Sequence, residues 1–514
     1  MRSKPRLFAF SHICSQTYVT GAEKLLLFML RELDPYFECT LVVPNEGYLS
    51  AAASARGIAI AVQPIPISVP LYLAQSHLLE ELHRFRSESD YADLVSLLAS
   101  RRPDVVLVNT AVHPMPAIAA KELGIPVVWS LMETIRTTPH TADAVALIRR
   151  YSDWIVGISE STLQPVRAFD PRMGGTMLLL PPSWHIEDWF PDTWQSNREL
   201  RRSGLAVRDH HRLIGFIASS IYANKGYMPF IEMAVEIAGR HPDALFLVVG
   251  NPVDRPLFDA GMDLVRRSGI MDRFRWIRFE NRIETIYPAL DMLVVPSMAA
   301  EGFGLTALEG LAFGKPVVAF ASGGLAEMMA ATGNAAYSVA AGDMAGLAGR
   351  VDGLLGNAAE MTAVGMRNRA AVEREYGIAA YRSKLAHLLT AMKVDAAVKP
   401  HLVRGSGPAV YLLEDGRLRP FASEKAFLDA GCSFGDVVRV DDATIRALPI
   451  GETIGAPEEP IAPPSPSAAR RTARGRRRKR GGAARGRKGR SGVRRRGKAA
   501  GGRRSGRRKR RAGR

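Results

Sequence analysis

Short, continuous apolar runs alternate with longer amphipathic stretches from the N-terminus to about residue 395. Uninterrupted runs suit strands buried on both faces, and the amphipathic stretches suit helices laid over them. RLFAF from Arg6, CTLVVP from Cys39, IAIAV from Ile58, DVVLVN from Asp104, PVVWSL from Pro126, WIVGIS from Trp154 and MLLLP from Met177 are the predicted strands of a first half. SWHIEDWFPDTWQSNREL, from Ser183, is aromatic and polar without a clear period, and is predicted to be the crossover between halves. RLIGFIA from Arg212, ALFLVVG from Ala244, RFRWIRF from Arg273, MLVVPS from Met292 and PVVAFA from Pro316 then repeat the pattern. The expectation is an α/β protein with two Rossmann-like, doubly wound domains, residues 1–190 and 191–395, facing a cleft.

A helical stretch from Asn368 to about Val394 is interrupted near Gly377 and closed by Pro400. Residues 401–455 are predicted to be a small α+β module, with a hairpin turn at Asp415-Gly416, a helix capped by Ser423 and a strand in DVVRV. The module resembles small repeats that occur as add-ons in bacterial proteins. Residues 456–514 are almost entirely Arg, Gly, Lys, Ala, Pro and Ser, cannot bury enough apolar surface to offset ordering, and are expected to be disordered.

With 514 residues and 47% apolar content, the chain can fill more than one core. Its net charge of +18 suggests a nucleic-acid binder until the charge is located. Residues 470–514 hold 24 Lys and Arg and no acid, so residues 1–469 carry a net −6. The tail is therefore expected to meet an anionic membrane surface or another polyanion, with nucleic acid not the expected partner; a drifting extension of GC-rich coding sequence is the plainer alternative. Cys14, Cys39 and Cys432 are too far apart for a zinc site or a disulfide framework. The basic start has too short an apolar stretch for a signal peptide, and no run approaches a membrane span. A cytoplasmic protein, at most peripheral on the inner membrane surface, is expected.

The chemistry concentrates in VVPSMAAEGFGLTALEGLAFGKPVVAFASGGLAEMM, from Val294 to Met329. It reads as a strand, a Gly-punctuated loop, a short helix, a stop at Gly314, a strand and a Gly-Gly loop. The amides of Gly302, Phe303, Gly304 and Leu305 would sit at a helix N-terminus, a natural place for a diphosphate. Glu301 and Glu309 flank it as candidates for sugar hydroxyls. Thr306-x-x-Glu309 also fits a capping box that needs no ligand, and Thr20-x-x-Glu23 invites the same structural reading.

The run E-G-F-G-L-T-A-L-E-G-L-A-F-G-K-P-V-V-A followed by G-G-x-x-E resembles the donor-site signature of the family-4 retaining glycosyltransferases of GT-B fold (glycosyl transferases group 1), over about residues 5–395. The resemblance implies that Glu309 binds the ribose. It implies that Glu301, with the amides of Phe303, Gly304 and Leu305, holds the donor sugar and its phosphate. Lys225-Gly226 matches the lysine that contacts the diphosphate, a cation that stabilises the leaving group as the glycosidic bond breaks; a solvated loop lysine is the alternative. Many relatives place an arginine five residues earlier, where this chain has Ser220. Gly21 would let the chain pass close to the diphosphate and acceptor. Backbone near Arg282 and Ile283 would hold the base. Relatives carry a cleft histidine where this chain has Met132, while Glu133 after it is kept as a candidate acceptor ligand. His113 is a second acceptor candidate, against the plainer reading of a surface-loop histidine.

The implied activity is retaining transfer of a sugar from a nucleoside-diphosphate sugar to a hydroxyl acceptor, in bacterial polysaccharide or glycoconjugate synthesis. Neither a metal nor another cofactor is expected, since no Asp-x-Asp motif is evident. Rival readings are a nucleotide-sugar epimerase or sugar phosphorylase, and an inactive GT-B scaffold that binds polyanions through its tail.

Overall fold

The computed structural model describes residues 4–169, 176–394, 402–414, 417–440 and 442–455. The Asp415-Gly416 turn and the tail from residue 456 lie outside the described residues. All twelve apolar runs named above form strands. Seven make one parallel sheet in the order β3-β2-β1-β4-β5-β6-β7: β1 (Arg6–Phe10), β2 (Glu38–Val43), β3 (Ala59–Val62), β4 (Val105–Asn109), β5 (Val127–Leu131), β6 (Trp154–Gly157) and β7 (Met177–Leu179). Every residue of β4 and β5 is buried, as the unbroken apolar runs demand of strands covered by helices on both faces.

The second parallel sheet runs β10-β9-β8-β11-β12-β13: β8 (Arg212–Ser220), β9 (Ala244–Asn251), β10 (Phe274–Ile277), β11 (Met292–Val295), β12 (Val317–Ala321) and β13 (Ser338–Ala340). β13 is a short, half-exposed edge strand whose polar start gave no apolar signal. In each sheet the strand order reverses once, between β1 and β4 and between β8 and β11, and the loops after these strands open a crevice at the carboxyl ends. The small module is a third, mixed sheet, β16-β15-β14-β17, from β14 (Leu402–Arg404), β15 (Tyr411–Glu414), β16 (Arg417–Pro420) and β17 (Val437–Arg439). Its β14 pairs parallel with β17, and Ser423 caps helix Glu424–Asp429 by accepting from the Ala426 amide. No helix among the described residues is long and apolar enough to cross a membrane.

The aperiodic crossover is more ordered than its sequence suggests. Two single-turn 3-10 helices, Ile186–Trp189 and Pro191–Thr193, lead into helix Trp194–Gly204. Trp184 stacks on Trp189 at 5.4 Å and 4°, Trp189 on Phe313 at 5.1 Å, and Phe313 on Tyr287 at 5.1 Å. Aromatic residues without helical or strand period thus form a ladder that grips the second domain, each contact adding about 1 kcal/mol beyond its burial.

The long C-terminal helix begins earlier than its sequence signal, at Ala358, and breaks at Gly377, which adopts extended backbone between helices Ala358–Tyr376 and Ile378–Ala391. The second of these returns to the first domain, where Tyr381, Leu385, Leu388 and Leu389 share one core with Leu7, Leu26 and Leu41. A buried ionic knot fixes the return. The Glu32 carboxylate takes the His185 ring nitrogen at 2.7 Å and the Arg382 guanidinium at 2.6 and 3.2 Å, so helix Gly21–Leu33, the crossover and the returning helix meet at one side chain. Burial alone would raise the pKa of Glu32, but the bonds from His185 and Arg382 outweigh it and hold the group at about 2.

Removing one partner of a buried pair strands the others, so Glu32→Ala is expected to lower the unfolding free energy by about 3 kcal/mol at neutral pH. Because the folded value is depressed, the Glu32 contribution is complete above the ordinary value of 4.5 and is lost as pH falls toward about 2. Denaturant titrations should show the gap between wild type and variant closing over that acid window; a gap that is absent at pH 7 contradicts the assignment.

Candidate active site

The two crevices face each other, and glycines decide how closely. The loop after β11 carries Glu301 and leads into helix Leu305–Ala312, whose N-cap is Gly304 at φ 93°. A Cβ on Gly302 would lie 2.0 Å from the Met132 carbonyl at the end of β5, so only glycine lets this loop rest on the opposite domain. Gly226, at φ 78°, would drive a Cβ to 1.7 Å from the Pro296 carbonyl. The Gly323-Gly324 pair packs against the same loop, with the Gly324 amide donating to the Glu301 carbonyl at 2.8 Å.

Within this frame Lys225 Nζ donates to Glu301 Oε1 at 2.8 Å, and Ser297 Oγ donates to the same oxygen at 2.7 Å. Lys225 is therefore not a free loop lysine. The pair is partly exposed, with side chains 38% and 19% accessible, so it is weak enough in water to exchange for a stronger ligand. Among the described residues the amides of Gly302, Phe303, Gly304 and Leu305 have no protein acceptor, while the Phe303 ring is committed to the core against Tyr376. An anion at this helix start would meet those amides and Lys225 together.

Glu309 lies one helical turn further in. The capping box with Thr306 is not formed, because the helix starts at Leu305 and Gly304 is its cap. Glu309 instead accepts from Tyr287 Oη at 2.6 Å and from Lys24 Nζ, across the crevice, at 3.5 Å. The Thr20 box is formed, with Thr20 Oγ1 accepting from the Glu23 amide and Glu23 Oε2 from the Thr20 amide. Gly21, just after it, faces Leu305: a Cβ there would meet Leu305 Cδ1 at 2.9 Å. Ser220 ends β8 beyond a register irregularity and pairs with Asn251. Arg282 is exposed, its guanidinium on Glu284 and its backbone spent on Glu280 and Thr285, so of the two base candidates Ile283 is the less committed.

The opposite wall differs from a surface loop. His113 is 1% exposed and neither ring nitrogen has a partner; burial and the neighbouring His12 push its pKa down to about 3. The surface-loop reading of His113 is thereby corrected: the segment after β4 turns inward under Phe10, whose ring meets the imidazole edge-on at 6.4 Å. Glu133 accepts from the Ala111 amide at 2.9 Å, yet burial pushes it up to about 7 against its backbone bonds. Lys24, Tyr287 and His12 escaped the sequence reading because each acquires its role from a residue distant in the chain. Glu327, the end of the G-G-x-x-E motif, accepts from the amides of Glu160 at 2.8 Å and Ser161 at 2.7 Å, and so caps a first-domain helix from the second domain. No group of three His, Cys, Asp or Glu among the described residues is arranged to hold a metal.

Residues 211–357, which comprise the whole second sheet, match the family described as Glycosyl transferases group 1. Over 176 residues the chain is 31% identical to a D-inositol 3-phosphate glycosyltransferase of Corynebacterium diphtheriae, covering 33% of this chain and 40% of the relative. Over 180 residues it is 31% identical to a 2-deoxystreptamine N-acetyl-D-glucosaminyltransferase of Streptomyces fradiae, covering 33% and 41%. The matched part thus spans about two-fifths of the length of these curated relatives. Among solved structures, Anabaena HepE in complex with UDP and glucose superposes with a TM-score of 0.62 at 19% identity, over 75% of this chain and 99% of that one. WaaG, a glycosyltransferase involved in lipopolysaccharide biosynthesis, does so with 0.55 at 16%, over 76% and 100%. Residues 211–357 thus match the glycosyl transferases group 1 family, and the chain around them has the GT-B fold of these solved glycosyltransferases.

Proposed function

We propose that the chain is a retaining glycosyltransferase that moves a sugar from a nucleoside-diphosphate sugar to a hydroxyl acceptor. The observation that carries this is the Lys225–Glu301–Ser297 cluster beside unpartnered helix-start amides, on a loop pressed against the opposite domain. Such a cluster offers a cation and dipoles for a diphosphate and a carboxylate for sugar hydroxyls at one spot. The similarity of residues 211–357 to glycosyltransferases supports the same reading.

In this reading the donor diphosphate takes Lys225 and the amides of Gly302 to Leu305, which frees Glu301 to bind the sugar. Glu309, aimed by Tyr287, takes the ribose. The bond from the anomeric carbon to the phosphate oxygen breaks, and the acceptor oxygen bonds to that carbon on the same face. The acceptor proton passes to the departing phosphate oxygen. Lys225 and the loop dipoles stabilise the charge on the leaving group, and no metal is assigned. With Ser220 in place of a second cation, Lys225 carries more of that charge.

The 24 cations of residues 470–514 support a second, separable proposal: the tail holds the enzyme on an anionic membrane surface or similar polyanion.

Thermal-shift titrations with UDP-, GDP- and ADP-sugars should single out one base, with about 2.7 kcal/mol of stabilisation at a hundredfold excess over the dissociation constant. A flat response to all three contradicts the donor site. Lys225→Ala should lower kcat by about 100-fold or more in steady-state assays, as loss of an electrostatic transition-state contact does. Glu309→Gln should mainly raise the donor KM, by about tenfold. Deleting residues 456–514 should abolish salt-sensitive sedimentation with phosphatidylserine vesicles and leave transfer to a soluble acceptor intact; sedimentation that persists contradicts the membrane role.

A further inference from the structure

Two helix starts meet at the crevice. Helix Gly21–Leu33 of the first domain and helix Leu305–Ala312 of the second approach at their first residues, where a Cβ on Gly21 would come within 2.9 Å of Leu305 Cδ1. The amides of Gly21 and Ala22, like those of Gly302 to Leu305, have no protein acceptor among the described residues. The nearby Glu23 carboxylate is turned back onto the Thr20 amide. Helix starts carry partial positive charge, so two of them side by side favour an anion between them.

Lys24 bridges the two helices. It stands three residues after Gly21, on the same face of its helix, and its Nζ lies 3.5 Å from Glu309 Oε1. That is a loose contact for a charge pair, and the lysine side chain is 42% accessible, so little is lost when the pair opens. Glu309 keeps a firmer partner in Tyr287 Oη, at 2.6 Å on its other oxygen. Leu305 and Glu309 are four residues, about 6 Å, apart along one helix. The flexible stem of a lysine covers that span by rotation alone, so Nζ can reach the helix start without any movement of backbone.

The arginines near this end of the second sheet are held elsewhere. Arg282 is on Glu284, and Arg278, exposed just after β10, holds Asn251 Oδ1 at 3.2 Å. The two lysine–carboxylate pairs of the crevice, Lys225 with Glu301 and Lys24 with Glu309, have the same form. Each joins a cation to a carboxylate that sugar hydroxyls can satisfy instead. A nucleoside-diphosphate sugar carries a negative charge on each phosphate and hydroxyls on either side of them. It can therefore exchange with both pairs at once, hydroxyls to the carboxylates and phosphates to the lysines.

We infer that Lys24 is the second cation of the donor site: it pairs with Glu309 in the free enzyme and passes to the diphosphate when ribose hydroxyls take Glu309. The inference rests on the transferase reading and adds to it a residue from the opposite domain. Lys225, beside the loop amides, carries the larger share of the leaving-group charge, and Lys24 carries the remainder. Because Lys24 belongs to the first domain, the same contact draws the two domains together on the donor.

The test uses displacement calorimetry with the nucleoside and the nucleoside diphosphate of the base singled out by thermal shift. Lys24→Gln should weaken the diphosphate by about tenfold and leave the nucleoside at wild-type affinity or tighter, since Glu309 is then free for the ribose. Lys24→Arg keeps the charge and should recover most of the diphosphate affinity. A lysine that served only to hold Glu309 would shift both ligands alike, so an unchanged ratio of the two affinities in Lys24→Gln overturns the inference. Loss of the diphosphate preference in Arg278→Gln but not in Lys24→Gln overturns it as well, and assigns the second charge to Arg278. If the wild type binds neither ligand, the transferase reading itself falls.

Discussion

Backbone packed directly on backbone around the Glu301 loop is the constraint on which the site depends. Gly302 rests on the Met132 carbonyl, Gly226 on that of Pro296, and Gly323 on that of Glu301 itself. A side chain at any of the three would drive this loop from its place. The same contact sets the separation of the two sheets, brings Gly21 onto Leu305 and lets Lys24 reach Glu309. The glycines of the signature are therefore steric elements first, and their amides become available to an anion because the loop is held so tightly.

Around this contact the two domains are joined by polar groups that cap or neutralise one another. Glu327 satisfies helix-start amides of the first domain, and Glu32 ties together the first helix, the crossover and the returning helix. The aromatic ladder from Trp184 to Tyr287 links the crossover to the tyrosine that orients Glu309. Charge at the crevice is unevenly divided. The second-domain side holds Lys225 with Glu301, while the first-domain side holds Lys24, which reaches Glu309, beside buried neutral histidines and a carboxyl whose pKa burial raises to about 7.

Much of this organisation was legible in the chain. Twelve strands declared themselves as short apolar runs, a purely local signal that a strand buried on both faces demands and that the part-exposed edge strands β3 and β10 also carry. The Thr20 cap and the break at Gly377 were readable for the same reason: the groups that satisfy them lie within a few residues. The order of motif residues between Val294 and Met329 located the Glu301 loop. What sequence alone determined was thus the elements, their succession and the chemistry carried by each strand end.

Tertiary structure decided which of those groups meet. The Thr306 box was locally allowed, yet Glu309 is taken by Tyr287 and Lys24, twenty-two and two hundred and eighty-five residues away. His113 read as a loop histidine and is buried, because a strained turn at Thr110, held by Ser130 and Trp129 of the neighbouring strand, directs it inward. The crossover had no period to read, because its tryptophans pack against Phe313 and Tyr287 rather than along an axis of their own. Local pattern reports what a segment buries; the partner of a side chain depends on loops closed over long stretches of chain, and only the packed fold specifies it.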